Sequence, residues 1–93
     1  MHVGITQVTL RLQAIDSLKA KRGISKSLIA GLRNRFNVSV SEVEHQDSKR
    51  YLGLGMASVS SSRAVIDQTF MKVMEVLQDD RRFELEEYEQ TYV

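Results

Sequence analysis

The sequence predicts an α+β fold in which two helices cover one face of a four-stranded antiparallel sheet. Four segments alternate apolar and polar residues with the period of two that a half-buried strand requires. Two longer segments repeat apolar residues at the spacing of an amphipathic helix. The elements follow one another in the order β-α-β-β-α-β, and right-handed crossovers leave little alternative to a ferredoxin-like sandwich with strand order 4-1-3-2.

Length and composition predict a single domain over residues 1–93. The chain has no cysteine, which excludes disulfides and thiolate metal sites. Its first residues, Met1–Gln7, contain neither a basic segment nor a long apolar run. No window of the sequence reaches the roughly 18 or more apolar residues of a membrane span. We therefore expect a cytoplasmic protein with no membrane partner.

The first predicted strand covers residues 2–12, and the phase of its apolar side chains changes near Thr6. Val3 and Ile5 fall on one face, whereas the apolar residues from Val8 onwards fall on the other. Two explanations remain open at this point. Either a bulge near Thr6 exchanges the faces, or both faces of the strand are partly covered.

The first predicted helix covers residues 18–35, with Asp16 or Ser17 as its N-cap. At about 100° per residue, three apolar side chains share one face of this helix. They are Ile24, Leu28 and Leu32.

The second strand is predicted over residues 36–44 and the third from Tyr51, with a polar hairpin turn at residues 45–48 between them. We expect the sheet face away from the helices to be small-sided and polar. Its predicted members are Thr9, Arg11, Ser39, Ser41, Tyr51, Gly53, Gly55 and Ala57.

Ser60–Ser62 supplies the N-cap of a second helix, in which four apolar residues fall within about 60° of arc. These residues are Ile66, Phe70, Val73 and Leu77. A charged connection over residues 79–82 leads to the last strand, which opens at Phe83 and carries Glu84, Glu86 and Tyr88 on its other face.

The first helix also contains the strongest functional signal, a charge gap. No acidic residue lies between Asp16 and Glu42, although the stretch holds Lys19, Lys21, Arg22, Lys26, Arg33 and Arg35. The net charge of +1 hides this asymmetry because the acids cluster near the other end of the chain. A concentrated cationic element attracts phosphate and is typical of nucleic-acid contact.

The helical projection separates these cations. Four of them lie within about 60° of arc on nearly the opposite side from the apolar face, whereas Lys21 and Arg35 lie nearer the apolar side and have to snorkel. The four are Lys19, Arg22, Lys26 and Arg33. A solvated helix face usually mixes acids with bases. This face therefore either binds an anionic partner or is neutralised by the acidic end of the protein, and both explanations remain open.

The topology also brings the start of the first helix and the hairpin to the same end of the sheet. We therefore expect Lys19, Lys21, Arg22, His45, Lys49 and Arg50 to converge there, with Arg33 and Arg35 at the far end of the helix. The predicted nucleic-acid-binding residues are Lys19, Lys21, Arg22, Lys26, Arg33, Lys49 and Arg50.

Other patterns favour structural roles. His2 and His45 are predicted at opposite ends of the sheet, of order 25–30 Å apart, which argues against a shared metal. Gly53-Leu54-Gly55 lies within a strand and lacks the third glycine of a dinucleotide fingerprint, so close approach of other groups over the sheet is favoured. The acidic run at residues 84–89 fits a charged edge strand better than a cation site.

No nucleophile–base pair, phosphate loop or metal set occurs, so we predict a non-enzymatic protein with no cofactor, no metal and no small-molecule substrate. The sheet also lacks the aromatic pair on which RNA-recognition sheets stack bases, since only Tyr51 is available in the third strand. Any RNA is therefore expected to be held through phosphates, which makes binding salt-sensitive and poor at distinguishing sequences.

Four segments of the sequence are distinctive when taken together: Met1–Gly4, Ser17–Arg22, Asn34–Val43 and His45–Asp47. As a set they resemble the YlxP-like family of small bacterial proteins of uncharacterised function. The resemblance implies the ferredoxin-like fold and a translation-related setting, because such proteins are often encoded beside transcription, initiation and ribosome-maturation factors. It assigns no role to the matching residues. The chain departs from the family pattern at Gln13–Ile15, where a Pro-Gly is common.

We therefore expect an RNA- or ribosome-associated binding protein, with rRNA or a ribosomal subunit as its partner. The alternative is a homodimer or larger homo-oligomer without RNA contact. In that case the acidic last strand of one copy meets the basic helix of another, or the small-sided sheet faces pack together.

Overall fold

A computed structural model describes all residues from Met1 to Val93 and contains the six predicted elements in the predicted order. They are β1 (His2–Leu12), α1 (Leu18–Arg35), β2 (Ser39–Glu44), β3 (Tyr51–Ser60), α2 (Arg63–Asp79) and β4 (Phe83–Tyr92). The strands form one antiparallel sheet in the order β2-β3-β1-β4, which is 4-1-3-2 when read from the other edge. The α+β class with a four-stranded antiparallel sheet and two helices is confirmed, and the ferredoxin-like topology fits.

The core lies between the sheet and the two helices. Directly paired residues of β1 and β3 share a face, and the pairs Val8–Leu54 and Leu10–Leu52 are buried on the helix side. Helix α1 packs on β2, and α2 packs on the other three strands. The predicted apolar residues of α2 all enter this single cluster, with Leu28 and Leu32 from α1, while Ile24 is partly buried beside it. Neither helix is long and apolar enough to cross a membrane.

Serine caps begin both helices. Of the two candidates for α1, Ser17 is the N-cap, and its side chain accepts a hydrogen bond of 3.1 Å from the N–H of Ala20. Ser62 plays the same part for α2 through the N–H of Val65. A short hydroxyl reaches the unpaired amides of the first turn, which explains the choice of residue.

We expect Ser17→Ala to lower the free energy of unfolding by about 1 kcal/mol, since the substitution removes the cap acceptor. Urea denaturation followed by circular dichroism measures the change. Asp16→Ala is the matched control, because Asp16 is exposed and precedes the cap. Equal losses in the two variants would show that the Ser17 hydroxyl contributes nothing specific.

The structure moves two predicted boundaries. Strand β2 begins at Ser39 rather than at residue 36, because Phe36 ends α1 and donates its N–H to the carbonyl of Leu32. Strand β3 continues from the predicted alternating segment to Ser60, where it pairs with His2.

Of the two explanations for the phase change in β1, the bulge near Thr6 is excluded, since β1 pairs with β3 without interruption. The irregularity lies instead in β4, where Thr9 pairs with Glu87 and Leu10 with Leu85, so that Glu86 is the extra residue. The placement of Tyr88 on the same face as Glu84 is therefore wrong. The bulge moves Tyr88 opposite the buried Val8, on the helix side of the sheet.

A second bulge, at Val43 in β2, explains the glycines of β3. Glu42 pairs with Leu54 and Glu44 with Gly53, which leaves Val43 as the extra residue and folds the end of β2 over β3. A Cβ atom at Gly53 would lie 2.9 Å from the carbonyl oxygen of Glu44. One at Gly55 would lie 3.0 Å from the side chain of Val43. The interpretation of these glycines as a close approach is confirmed.

Candidate nucleic-acid interface

A row of free cations runs along the exposed side of α1. Lys19, Arg22 and Lys26 are exposed, and none of them forms an ion pair or a side-chain hydrogen bond within the chain. Their spacing of three and four residues puts them on one face of the helix over about 10 Å of its length. We call these three residues the basic row.

Arg33 and Arg35 are exposed but tethered. Arg33 donates from Nη2 to the carbonyl oxygen of Val40 at 2.7 Å, which ties the end of α1 to β2. The guanidinium of Arg35 lies 5.4 Å from the centre of the Phe36 ring, within the range of a cation–π contact. The predicted phosphate contact at Arg33 therefore has part of its donor capacity already in use.

The prediction of Lys21 as a phosphate contact is wrong, because its side chain is only 1% exposed. Nζ lies 3.1 Å from Oε2 of Glu42 in β2 and donates a hydrogen bond to the carbonyl oxygen of His45. A buried ammonium requires such partners because its desolvation is costly.

The Lys21 contacts bring the start of α1 and the β2–β3 hairpin together, as the topology predicts. His45 begins the turn with a positive φ of 61°, and its carbonyl also accepts a hydrogen bond from the N–H of Ser48. Lys49 and Arg50 follow in the same connection, exposed and without an ion pair. The sheet end that carries the start of the basic row therefore also carries two further free cations.

The acidic residues of β2 and β4 form no ion pair with the basic row. In β2, Glu42 is held by Lys21, and Glu44 lies 3.9 Å from the imidazole of His45. Strand β4 is at the opposite edge of the sheet from β2, on which α1 packs. Two of its carboxylates, Glu84 and Glu86, lie 2.5 and 3.3 Å from Arg11.

These two carboxylates act on Arg11 rather than on α1. The hydrogen bond that Arg11 donates to Glu84, together with the charges of Glu84 and Glu86, holds the pKa of the Arg11 guanidinium above its ordinary value. Within one copy of the chain, β4 therefore leaves the basic row without a counter-charge.

A family model described as "Protein of unknown function (DUF503)" matches residues 3–90 of the chain. "Uncharacterized protein YlxP" of Bacillus subtilis (strain 168) is 33% identical over 72 residues, which cover 77% of this chain and 78% of that protein. The chain belongs to the DUF503 family. The resemblance drawn from the sequence segments is thereby confirmed, and the DUF503 match covers both helices, the hairpin and the sheet apart from the first residue of β1 and the last two of β4.

The two histidines of this DUF503 chain lie at opposite ends of the sheet. His2 pairs with Ser60 at one end of the sheet, and His45 lies in the hairpin turn. No group of three or more His, Cys, Asp or Glu side chains is arranged to hold a metal ion.

Sequence reasoning missed an apolar area on the open sheet face. Ile5 is 38% exposed and Val59 is 47% exposed, and Val3 lies opposite Val59 in the register. The N–H of Val93 donates to the carbonyl of Val3, which extends the apolar row to the last residue. The out-of-phase Val3 and Ile5 were the available signal, but the extension of β3 through Val59 was not predicted.

Proposed function

We propose that the protein is a non-enzymatic RNA-binding protein that contacts phosphate groups through the basic row of α1, with rRNA or a ribosomal subunit as its partner. The observation that carries the proposal is that Lys19, Arg22 and Lys26 form no ion pair with any carboxylate of the chain. An unpaired cationic row repels itself, and phosphates relieve this repulsion while their counterions are released.

The buried Lys21 supports the proposal indirectly. It forms an ion pair with Glu42, the carboxylate that β2 presents towards α1, so Glu42 does not neutralise the exposed cations. The same contact fixes α1 against the hairpin that carries Lys49 and Arg50. Two groups of free cations are thus held together by contacts between α1 and the hairpin, which suits the repeated charges of a nucleic-acid backbone.

Substitution of the basic row tests this function directly. We expect Lys19→Gln/Arg22→Gln to weaken binding to ribosomal RNA and to lower the slope of log affinity against log salt by about 1.4, since each lost phosphate contact removes about 0.7 for single strands. Fluorescence anisotropy over a salt series measures both quantities. The matched control is Lys72→Gln/Arg81→Gln, which removes two exposed charges from α2 and the following turn.

Equal effects from the two double variants would mean that net charge, rather than the basic row, governs binding. Unchanged affinity in the first variant would refute the phosphate contacts. Co-sedimentation with purified ribosomal subunits at low and high salt tests the partner, and binding that fades as salt rises is the expected result.

A second candidate, self-association through the open sheet face, is favoured by the apolar row of Val3, Ile5 and Val59. Because the net charge of the chain is only +1, two copies repel one another little at long range. Self-association can also occur through pairing of β4 of one copy with α1 of another. Light scattering at low and high salt separates these two forms, because an apolar interface persists at high salt whereas the pairing of β4 with α1 dissociates. If Ile5→Ser and the control Met71→Ser leave the same monomeric mass as the unaltered chain, self-association is excluded.

A further inference from the structure

A cavity of about 470 Å³ opens between the β1–α1 connection and the start of β3. Its size falls within the range of roughly 300–1,000 Å³ that small-ligand sites occupy. Its walls come from Arg11 to Ile15 on one side and from Lys49 to Tyr51 on the other. The N–H of Leu12 donates to the carbonyl of Arg50 at 2.7 Å, so the two walls are joined by a hydrogen bond.

The charged groups of the cavity favour an anion. Lys49 and Arg50 are free of carboxylates, whereas Arg11 is already held by Glu84 and Glu86 and supplies little free charge. Ala14 and Ile15 also line the cavity, and their backbone N–H groups donate to no backbone carbonyl. Two cations and two free amides form the donor set that a phosphate group accepts.

Tyr51 is the aromatic residue among those that line the cavity. Tyr51 is half-buried, and its ring centre lies 5.5 Å from that of His45 with the planes tilted by 43°. The hydroxyl of Ser48 accepts hydrogen bonds from the N–H groups of both Arg50 and Tyr51, at 3.0 and 3.1 Å. The backbone that carries the cations and the ring is therefore fixed before a ligand arrives.

We propose that this cavity binds one unpaired nucleotide unit of single-stranded RNA, with its phosphate between Lys49, Arg50 and the loop amides and its base against Tyr51. The proposal rests on the RNA-binding function and adds a defined nucleotide site to the phosphate contacts of α1. Base stacking on an aromatic side chain tolerates any base, so the site selects unpaired nucleotides rather than a sequence.

Titration of ¹⁵N-labelled protein with AMP, adenosine and inorganic phosphate tests the site by NMR. We expect AMP to shift the amide resonances of Ala14, Ile15 and Tyr51 and to bind more tightly than either phosphate or adenosine. Tyr51→Leu should weaken AMP binding roughly tenfold, since stacking contributes to that extent, and should leave phosphate binding unchanged. Tyr88→Leu is the matched control, because Tyr88 is an exposed aromatic residue of β4 outside this cavity.

The spectrum of each variant reports directly whether it is folded. Should Tyr51→Leu fail to fold, Lys49→Gln/Arg50→Gln provides the second variant, and it should weaken both AMP and phosphate. Shifts confined to residues outside the cavity, or equal losses in Tyr51→Leu and Tyr88→Leu, would overturn the nucleotide site.

A further comparison separates this site from the basic row. If Lys19→Gln/Arg22→Gln weakens RNA binding while AMP leaves the cavity resonances unchanged, the cavity proposal fails and the proposed function stands. If AMP binds at Tyr51 but Lys19→Gln/Arg22→Gln leaves the affinity for RNA unchanged, the nucleotide site is supported and the proposed function through α1 fails. AMP and a short single-stranded RNA competing for the same resonances would identify the nucleotide as part of an RNA.

Discussion

Lys21→Ala is expected to lower the free energy of unfolding by about 3–5 kcal/mol, the range for breaking a buried ion pair from one side. The substitution leaves the carboxylate of Glu42, which is 20% exposed, without its counter-charge. It also removes the ammonium that donates to the His45 carbonyl, at a turn residue held in a left-handed conformation. The buried alkyl chain of Lys21 is lost as well, which adds a packing defect.

Urea denaturation of Lys21→Ala and Lys26→Ala measures this effect against a matched control on the same helix. Lys26 is exposed and unpaired, so its loss should change the free energy of unfolding by no more than about 0.5 kcal/mol. The double variant Lys21→Met/Glu42→Leu should recover most of the loss, because an apolar pair of similar volume avoids both desolvation costs. Similar stabilities of the two single alanine variants would refute the structural role assigned to Lys21.

The predictable part of the fold was the part governed by periodicity. Alternation placed Leu10 and Leu52 on the buried face, and helical spacing placed Ile66 and Phe70 in the core. The β4 bulge was not predictable, because nothing in the spacing of residues 83–88 distinguishes Glu86 as the extra residue. That single extra residue moves the following side chains of β4 to the opposite face of the sheet, which is why Tyr88 was predicted on the wrong face.

The candidate site likewise has a part that the sequence predicts and a part that depends on contacts between distant residues. The cations on the outer arc of α1 could be predicted as exposed, because helical geometry alone sets that arc. Lys21 was predicted to snorkel, but its complete burial depends on Glu42, which lies in another element and 21 positions further along the chain. The cavity beside Tyr51 also joins two connections that are distant in sequence, so no local pattern could have indicated it.

Gly53→Ala is expected to destabilise the protein by about 1–3 kcal/mol, the usual cost of overpacking a filled site. A Cβ at this position would lie 2.8 Å from the Cβ of Glu44 and 2.9 Å from its carbonyl oxygen. Since one of these atoms belongs to the backbone, the clash cannot be relieved by rotating a side chain. Relief requires movement of the end of β2, which directly precedes His45, the residue whose carbonyl accepts a hydrogen bond from Lys21.

Gly23→Ala is the control for Gly53→Ala, because the two substitutions are expected to change the stability of the protein in opposite directions. Gly23 is an exposed residue of α1 with no atom within 4 Å of the added Cβ, so alanine should stabilise the helix there by about 0.5–1 kcal/mol. Thermal unfolding of both variants should move the midpoints in opposite directions from the unaltered protein. Stabilisation by Gly53→Ala would contradict the close approach of β2, because the entropic gain of alanine in the unfolded chain would then have met no clash in the folded one.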